Sequence, residues 1–228
     1  MHLPAACLFD LDGLLLDTEP LHAQAWSETA DFFGTSLSRS QLITLKGRRR
    51  LDCAEQINNW LDSPVGNEQL LAVRQPIAKQ LLSQAKAMPG AEELVRWCDD
   101  NKLPMALVSS STSDAVAFKS LNHSWLALIQ TRVLGDDPSL KAGKPAPDPF
   151  LLAAKRLAVK PSTCWALEDS QAGSRAALAA GCQVWLLNIN NEQEACLNSD
   201  KSPSNKNPRR ITELKTVLEY LHQVKDAL

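Results

Sequence analysis

Three things are missing from this 228-residue chain. It has no excess of either charge, no long apolar run and no paired-cysteine spacing. Lys and Arg number 24 against 26 Asp and Glu, a formal net charge of −2. A chain so balanced has no basic field with which to hold nucleic acid, which argues against that partner. No apolar stretch approaches the roughly 18 residues of a membrane-spanning helix. No basic segment precedes Asp10, so a secretory signal is not expected. The six cysteines (7, 53, 98, 164, 182 and 196) never fall in a C-x-x-C pattern, and several sit in apolar runs. They read as buried free thiols of a reducing compartment, consistent with a cytoplasmic protein. With 44% hydrophobic and 22% charged residues, the bulk of the chain is expected to fold rather than stay disordered. Its length allows one or two domains and a core that needs no disulfide staples.

Five short apolar runs read as buried parallel strands: Ala5–Phe9, Met105–Ser109, Thr131–Leu134, Thr163–Leu167 and Cys182–Leu187. Helical patterns lie among them at Gly90–Asn101, Asp148–Ala158 and Gln171–Ala180, the last ending at Gly181. Strands alternating with helices predict an α/β fold with a parallel sheet. About 95 residues separate the first two strands, too many for one crossover. Residues 19–86 read as helical throughout, with candidates at Leu21–Phe33, Cys53–Leu61 and Leu70–Ala85. Pro76 is expected to kink the last of these or mark a fresh start. The pattern predicts a helical domain, 19–86, inserted into an α/β domain formed by 1–18 and 87–228. Asn188–Arg210 reads as a polar surface loop and Ile211–Leu228 as an amphipathic helix. Trp26, Trp60 and Trp97 lie on apolar stripes and read as core.

Open α/β sheets bind ligands at the carboxyl ends of their strands, and polar residues gather at those ends here. They are Asp10-Leu11-Asp12-Gly13, Ser109-Ser110-Ser111-Thr112 and Glu168-Asp169-Ser170, with Gly143-Lys144-Pro145 in a further loop. Each alone has a structural explanation. Asp-x-Asp can be a turn, Ser111 or Ser113 a helix cap, Lys144 a solvated lysine, and Glu168-Asp169 a cap for the helix at Gln171. Together and in this order they call for a common chemical purpose.

The set resembles the four motifs of the haloacid dehalogenase-like superfamily, and the resemblance covers about residues 5–190. Asp17-Thr18-Glu19-Pro20-Leu21-His22, Trp26 and Leu45-Lys46-Gly47-Arg48-Arg49-Arg50 are similar to the sugar-phosphatase and β-phosphoglucomutase branch. The resemblance implies a Rossmann-like core with an inserted α-helical cap domain. It implies Mg²⁺ as cofactor and a small phosphorylated metabolite as substrate. Asp10 would be the nucleophile and Asp12 the general acid and base. Ser109 and Lys144 would hold and neutralise the phosphoryl group. Asp10, the backbone carbonyl of Asp12, Asp169 and Glu168 would supply oxygen ligands to the metal. His22, Lys46, Arg50 and Ser110 would meet the substrate. For His22 a partly exposed helix histidine, and for Arg48–Arg50 a solvated turn, stay open at this point.

Two reactions fit: hydrolysis of a phosphomonoester, or a β-phosphoglucomutase-type transfer. The mutases follow their second motif with Lys-Asn to grip a distal phosphate. This chain has Thr112-Ser113 there, which favours hydrolysis. A receiver-like signalling domain would have neither Asp12 nor the inserted helices.

Overall fold

The computed structural model describes residues 3–45, 50–188 and 207–227. The first strand, β1 (Ala6–Phe9), is buried along its whole length. Its residues are all apolar, so both faces can meet helices: Cys7 and Phe9 join one layer, Ala6 and Leu8 the other. The chain then runs through β2 (Leu16–Asp17), α1 (Glu19–Phe32), α2 (Arg39–Leu45), α3 (Arg50–Asn58), α4 (Asn67–Leu82) and β3 (Lys86–Ala87). β2 and β3 pair antiparallel, Leu16 opposite Ala87, so the chain leaves and returns side by side. Between them the helices close on their own cluster of Trp26, Ala30, Leu45, Ala54, Ile57 and Leu70.

The remaining elements are α5 (Ala91–Asp100), β4 (Met105–Val108), α6 (Ser113–Lys119), β5 (Thr131–Val133), α7 (Asp148–Arg156), β6 (Cys164–Glu168), α8 (Gln171–Ala179), β7 (Gln183–Leu187), β8 (Arg209–Ile211) and α9 (Lys215–Asp226). The main sheet is parallel throughout, in the order β5-β4-β1-β6-β7-β8. Residues of α5 and α9 cover one face and residues of α7 and α8 the other. This is the expected α/β architecture with a parallel, doubly wound sheet. The five apolar runs are strands to within one residue at either end.

Four expectations need correction. β8 is a sixth strand, so Arg209–Ile211 is neither loop nor helix, and α9 begins only at Lys215. The guanidinium of Arg209 lies 4.7 Å from the Trp185 ring centroid and 4.6 Å from that of Tyr220. Charged residues suit such an edge strand, and their polarity hid it in the sequence. Pro76 does not restart a helix; α4 runs through it, with the proline exposed. Neither Ser111 nor Ser113 caps α6, whose N-cap is Thr112. Ser170, rather than Glu168 or Asp169, caps α8, its hydroxyl accepting from Gly173 N–H at 3.0 Å.

Trp26 is buried, and Trp60 and Trp97 pack half-buried against apolar clusters. Cys7, Cys53, Cys98, Cys164 and Cys182 are buried free thiols, as expected. Cys196 and most of the polar 188–210 segment lie outside the described residues. Among the described residues no helix is long and apolar enough to cross a membrane.

Candidate active site

The three central strands, β4, β1 and β6, end side by side. Asp10 follows β1, Ser109 follows β4, and Glu168 is the last residue of β6 with Asp169 next. Strand pairing delivers these residues to one edge of the sheet, and Asp10 N–H is tied to Leu167 C=O at 3.0 Å. Lys144 enters from the loop between β5 and α7. Its three ammonium protons are all engaged: by Asp10 Oδ1 at 2.5 Å, by Val108 C=O at 2.8 Å and by Glu168 Oε1. Asp10 and Lys144 are buried and Glu168 is wholly so.

Two glycines make this crowding possible. Gly13 has φ +84°, and a Cβ there would sit 2.2 Å from Asp169 Oδ2. A Cβ on Gly173 would meet the Glu168 carboxylate at 2.0 Å. Each glycine leaves space that a carboxylate occupies.

One oxygen from each of Asp10, Glu168 and Asp169 lies within 4.8 Å of the others. Converging carboxylate oxygens are the donor set of a hard divalent cation. The residues present therefore fit such an ion. The Asp12 carboxylate stands apart from this cluster, leaving its backbone carbonyl as its contribution to the expected metal set.

The electrostatics match this crowding. Burial pushes the Asp10 carboxyl up to about 7; Glu168 and Asp12 push the same way, and Lys144 opposes them. Burial likewise raises Glu168. Burial works against the Lys144 charge, but Asp10 and Glu168 outweigh it and hold the ammonium protonated above its ordinary range. One cation thus sits among three carboxylates, and a second would relieve the repulsion.

Asp12 has its own set of partners. Thr18 donates to Oδ1 and Ser111 to Oδ2, both at 2.8 Å. His22 Nε2 faces Oδ1 at 3.6 Å. Lys119, the last residue of α6, reaches Oδ1 at 2.5 Å and Oδ2 at 2.6 Å. Burial would raise the Asp12 carboxyl, but Lys119 and His22 win and hold it well below the usual range.

The residues expected to meet substrate fare differently. His22 is beside Asp12, on α1. Ser109 is buried, its hydroxyl accepting from Ser111 N–H at 3.1 Å, and Ser110 is exposed. Arg50 is exposed at the start of α3. Lys46, with Arg48 and Arg49, lies outside the described residues. Ser113 is engaged away from the site, by Asp136.

Two cations escaped the sequence reading. Lys119 lies three residues after buried Val116, on the same helical face. Arg74 lies on the buried stripe Leu70–Arg74–Ala78–Leu82 of α4, where an apolar residue is the default. Its guanidinium stacks 4.0 Å over Trp26 and meets His22 Nδ1 at 3.1 Å, and its Nε has no hydrogen-bond partner among the described residues. Burial, with nearby Arg50, brings it down to about 10. For Arg74 a basic residue on the apolar stripe of α4 was the one available signal; α6 is too short to have offered one for Lys119.

The chain is similar to known proteins. The chain is 37% identical over 185 residues to the "Probable pseudouridine-5′-phosphatase" of Drosophila melanogaster, covering 79% of this chain and 80% of that one. It is 33% identical over 178 residues to the fructose-1-phosphate phosphatase YqaB of Escherichia coli, covering 78% and 93%. A crystal structure of a HAD hydrolase, family IA, variant 3, from Entamoeba histolytica superposes with a TM-score of 0.78 at 25% identity, over 99% of this chain and all of that one. The model of the haloacid dehalogenase-like hydrolases matches residues 4–181. All four strand-end and loop segments that built the site fall within that stretch, and the chain belongs to the haloacid dehalogenase-like hydrolase family.

Proposed function

We propose that the chain is a Mg²⁺-dependent phosphatase of a small phosphomonoester, working through an aspartyl phosphate. Residues 19–86 act as a helical cap over a core of 1–18 and 87–228. The observation that carries the reading is Lys144 held between Asp10 and Glu168, with Asp169 adjoining. A phosphate monoester repels an anionic nucleophile, so Asp10 can attack phosphorus only where positive charge is fixed beside it. Lys144 supplies part of that charge. Mg²⁺, held by Asp10, the Asp12 carbonyl, Asp169 and Glu168, would neutralise the rest. Ser109 and neighbouring backbone N–H groups hold the phosphoryl oxygens. Asp12 protonates the leaving oxygen as the P–O bond breaks, then takes a proton from the water that attacks the aspartyl phosphate. His22, Lys46, Arg50 and Ser110 contact the rest of the substrate.

Hydrolysis rather than phosphoryl transfer to a second sugar hydroxyl is supported by how the donors are used. Ser113 is engaged by Asp136 and Lys119 by Asp12, so neither is available for a second phosphate. Phosphate release from a metabolite panel with Mg²⁺ tests the reading, opened by pseudouridine 5′-phosphate and fructose 1-phosphate, the compounds named for two relatives. A coupled assay with glucose 1-phosphate and trace bisphosphate runs beside it. Release of inorganic phosphate well above isomerisation is expected; faster isomerisation would make the chain a mutase.

A further inference from the structure

We propose that Lys119 is the positioning residue for the acid–base carboxylate Asp12, an inference that rests on the role given to Asp12 above. Lys119 has a side chain only 1% exposed, although lysine is among the residues least often buried. Its ammonium spans both oxygens of Asp12, at 2.5 and 2.6 Å, and donates to Ser111 Oγ at 2.9 Å. Ser111 in turn donates to Asp12 Oδ2. The three groups form a closed triangle. Thr18 adds one donor, to Oδ1.

A carboxylate gripped at one oxygen can still turn about its Cβ–Cγ bond. Gripped at both oxygens by one buried cation, it keeps its plane. The cation is carried by α6, whose Val116 packs into the cluster on the main sheet, rather than by the helices of 19–86. Orientation of a proton donor matters at the scale of an ångström, where misplacement costs up to about 100-fold.

Positioning of an acid has a signature that general support of the fold lacks. An alkoxide leaving group needs a proton from Asp12 as it departs, whereas 4-nitrophenolate leaves without one. Because kcat/KM reports only events through release of the leaving group, the ratio of its values for glycerol 3-phosphate and 4-nitrophenyl phosphate isolates that proton. Lys119→Met, which keeps the unbranched stem, is expected to lower kcat/KM for glycerol 3-phosphate about 10- to 100-fold. For 4-nitrophenyl phosphate it should stay within about threefold, and that retained turnover is itself evidence of folding. Should Lys119→Met fail to fold, Lys119→Gln, neutral but still a donor, carries the same comparison. Equal losses on both substrates, or an unchanged or increased ratio, overturn the proposal. The parent reading is checked apart, by Asp12→Asn. If that variant keeps alkyl phosphatase activity, Asp12 is not the acid. If it is inactive while Lys119→Met leaves the ratio unmoved, only the positioning role fails.

Discussion

Arg74 fixes the proton of His22. A guanidinium can only donate, so Nδ1 of His22, 3.1 Å away, must accept, and the ring proton is left on Nε2, the atom facing Asp12. Arg74 itself is 7% exposed and, among the described residues, its charge is met by the Trp26 face rather than by a carboxylate. Its lowered pKa means that the charged form is less at home in the folded protein than in the unfolded chain. Arg74→Met is therefore expected to leave the melting temperature unchanged or raised, while kcat/KM falls about tenfold as His22 loses its orientation. A calorimetric scan and a rate measurement on one preparation check both halves.

Asp10→Asn and Lys144→Met should both abolish phosphate release, yet move stability in opposite directions. Asp10→Asn removes one of the carboxylates competing for a single ammonium, so the metal-free protein should be as stable as the parent or more so. Lys144→Met leaves Asp10 and Glu168 buried against each other. Breaking a buried pair in this way costs roughly 3–5 kcal/mol, read as a lower urea midpoint.

Removing divalent ions should abolish turnover, with Mg²⁺ restoring it and Ca²⁺ inhibiting. Ca²⁺ prefers more oxygens at longer distances and would disturb the alignment of Asp10. Atomic-emission assay of the chelated protein, followed by titration of activity with each ion, decides the matter.

The raised carboxyl of Asp10 gives the ion-free protein a defined pH response. Folded, it titrates at about 7; unfolded, near 3.9. Between those values the unfolded chain has lost a proton that the folded protein keeps, so stability falls as pH rises through the window. Glu168, also raised, adds to the fall. Asp12 acts oppositely, its contribution being lost only in acid, below about pH 4. The melting temperature of chelated protein should drop from pH 5 to pH 7.5, and Asp10→Asn should flatten the slope. Because cations bind ionised carboxylates, the increase in melting temperature produced by Mg²⁺ should grow over the same interval.

Gly13→Ala is expected to weaken Mg²⁺ affinity. The added methyl meets Asp169 Oδ2 and must adopt φ +84°, a backbone conformation costing roughly 1–2 kcal/mol for a residue with a Cβ. The carboxylate can swing aside, so the loss should appear first in the Mg²⁺ concentration needed for half-maximal rate.

What the sequence disclosed follows from where the information lies. β1, β4 and β6 are runs of four or five apolar residues, and such runs in an α/β pattern admit little but buried strands. The polar residues ending them then had to share the sheet's carboxyl edge. Asp10, Ser109, Glu168 and Asp169 were legible for this reason, and Lys144 through its motif. Lys119 was not, because its burial is decided by Asp12, 107 residues earlier, and its short helix α6 carries little periodicity. Arg74 was hidden similarly by His22, 52 residues away. β8 escaped because two of its three residues are arginines; Arg209 is accounted for by its stacking on Trp185 and Tyr220.

The paired strands β2 and β3 place the departure and return of the chain on neighbouring backbones, about 5 Å apart. Whatever lies between them is a closed excursion. It can be lengthened, shortened or exchanged without altering the order or register of the main sheet, which never learns what the excursion contains. The helices of the excursion can thus be changed while Asp10 and its partners stay where the sheet puts them. For protein engineering, Asp17 and Lys86 mark natural seams for grafting the helical segment of one phosphatase onto the sheet of another.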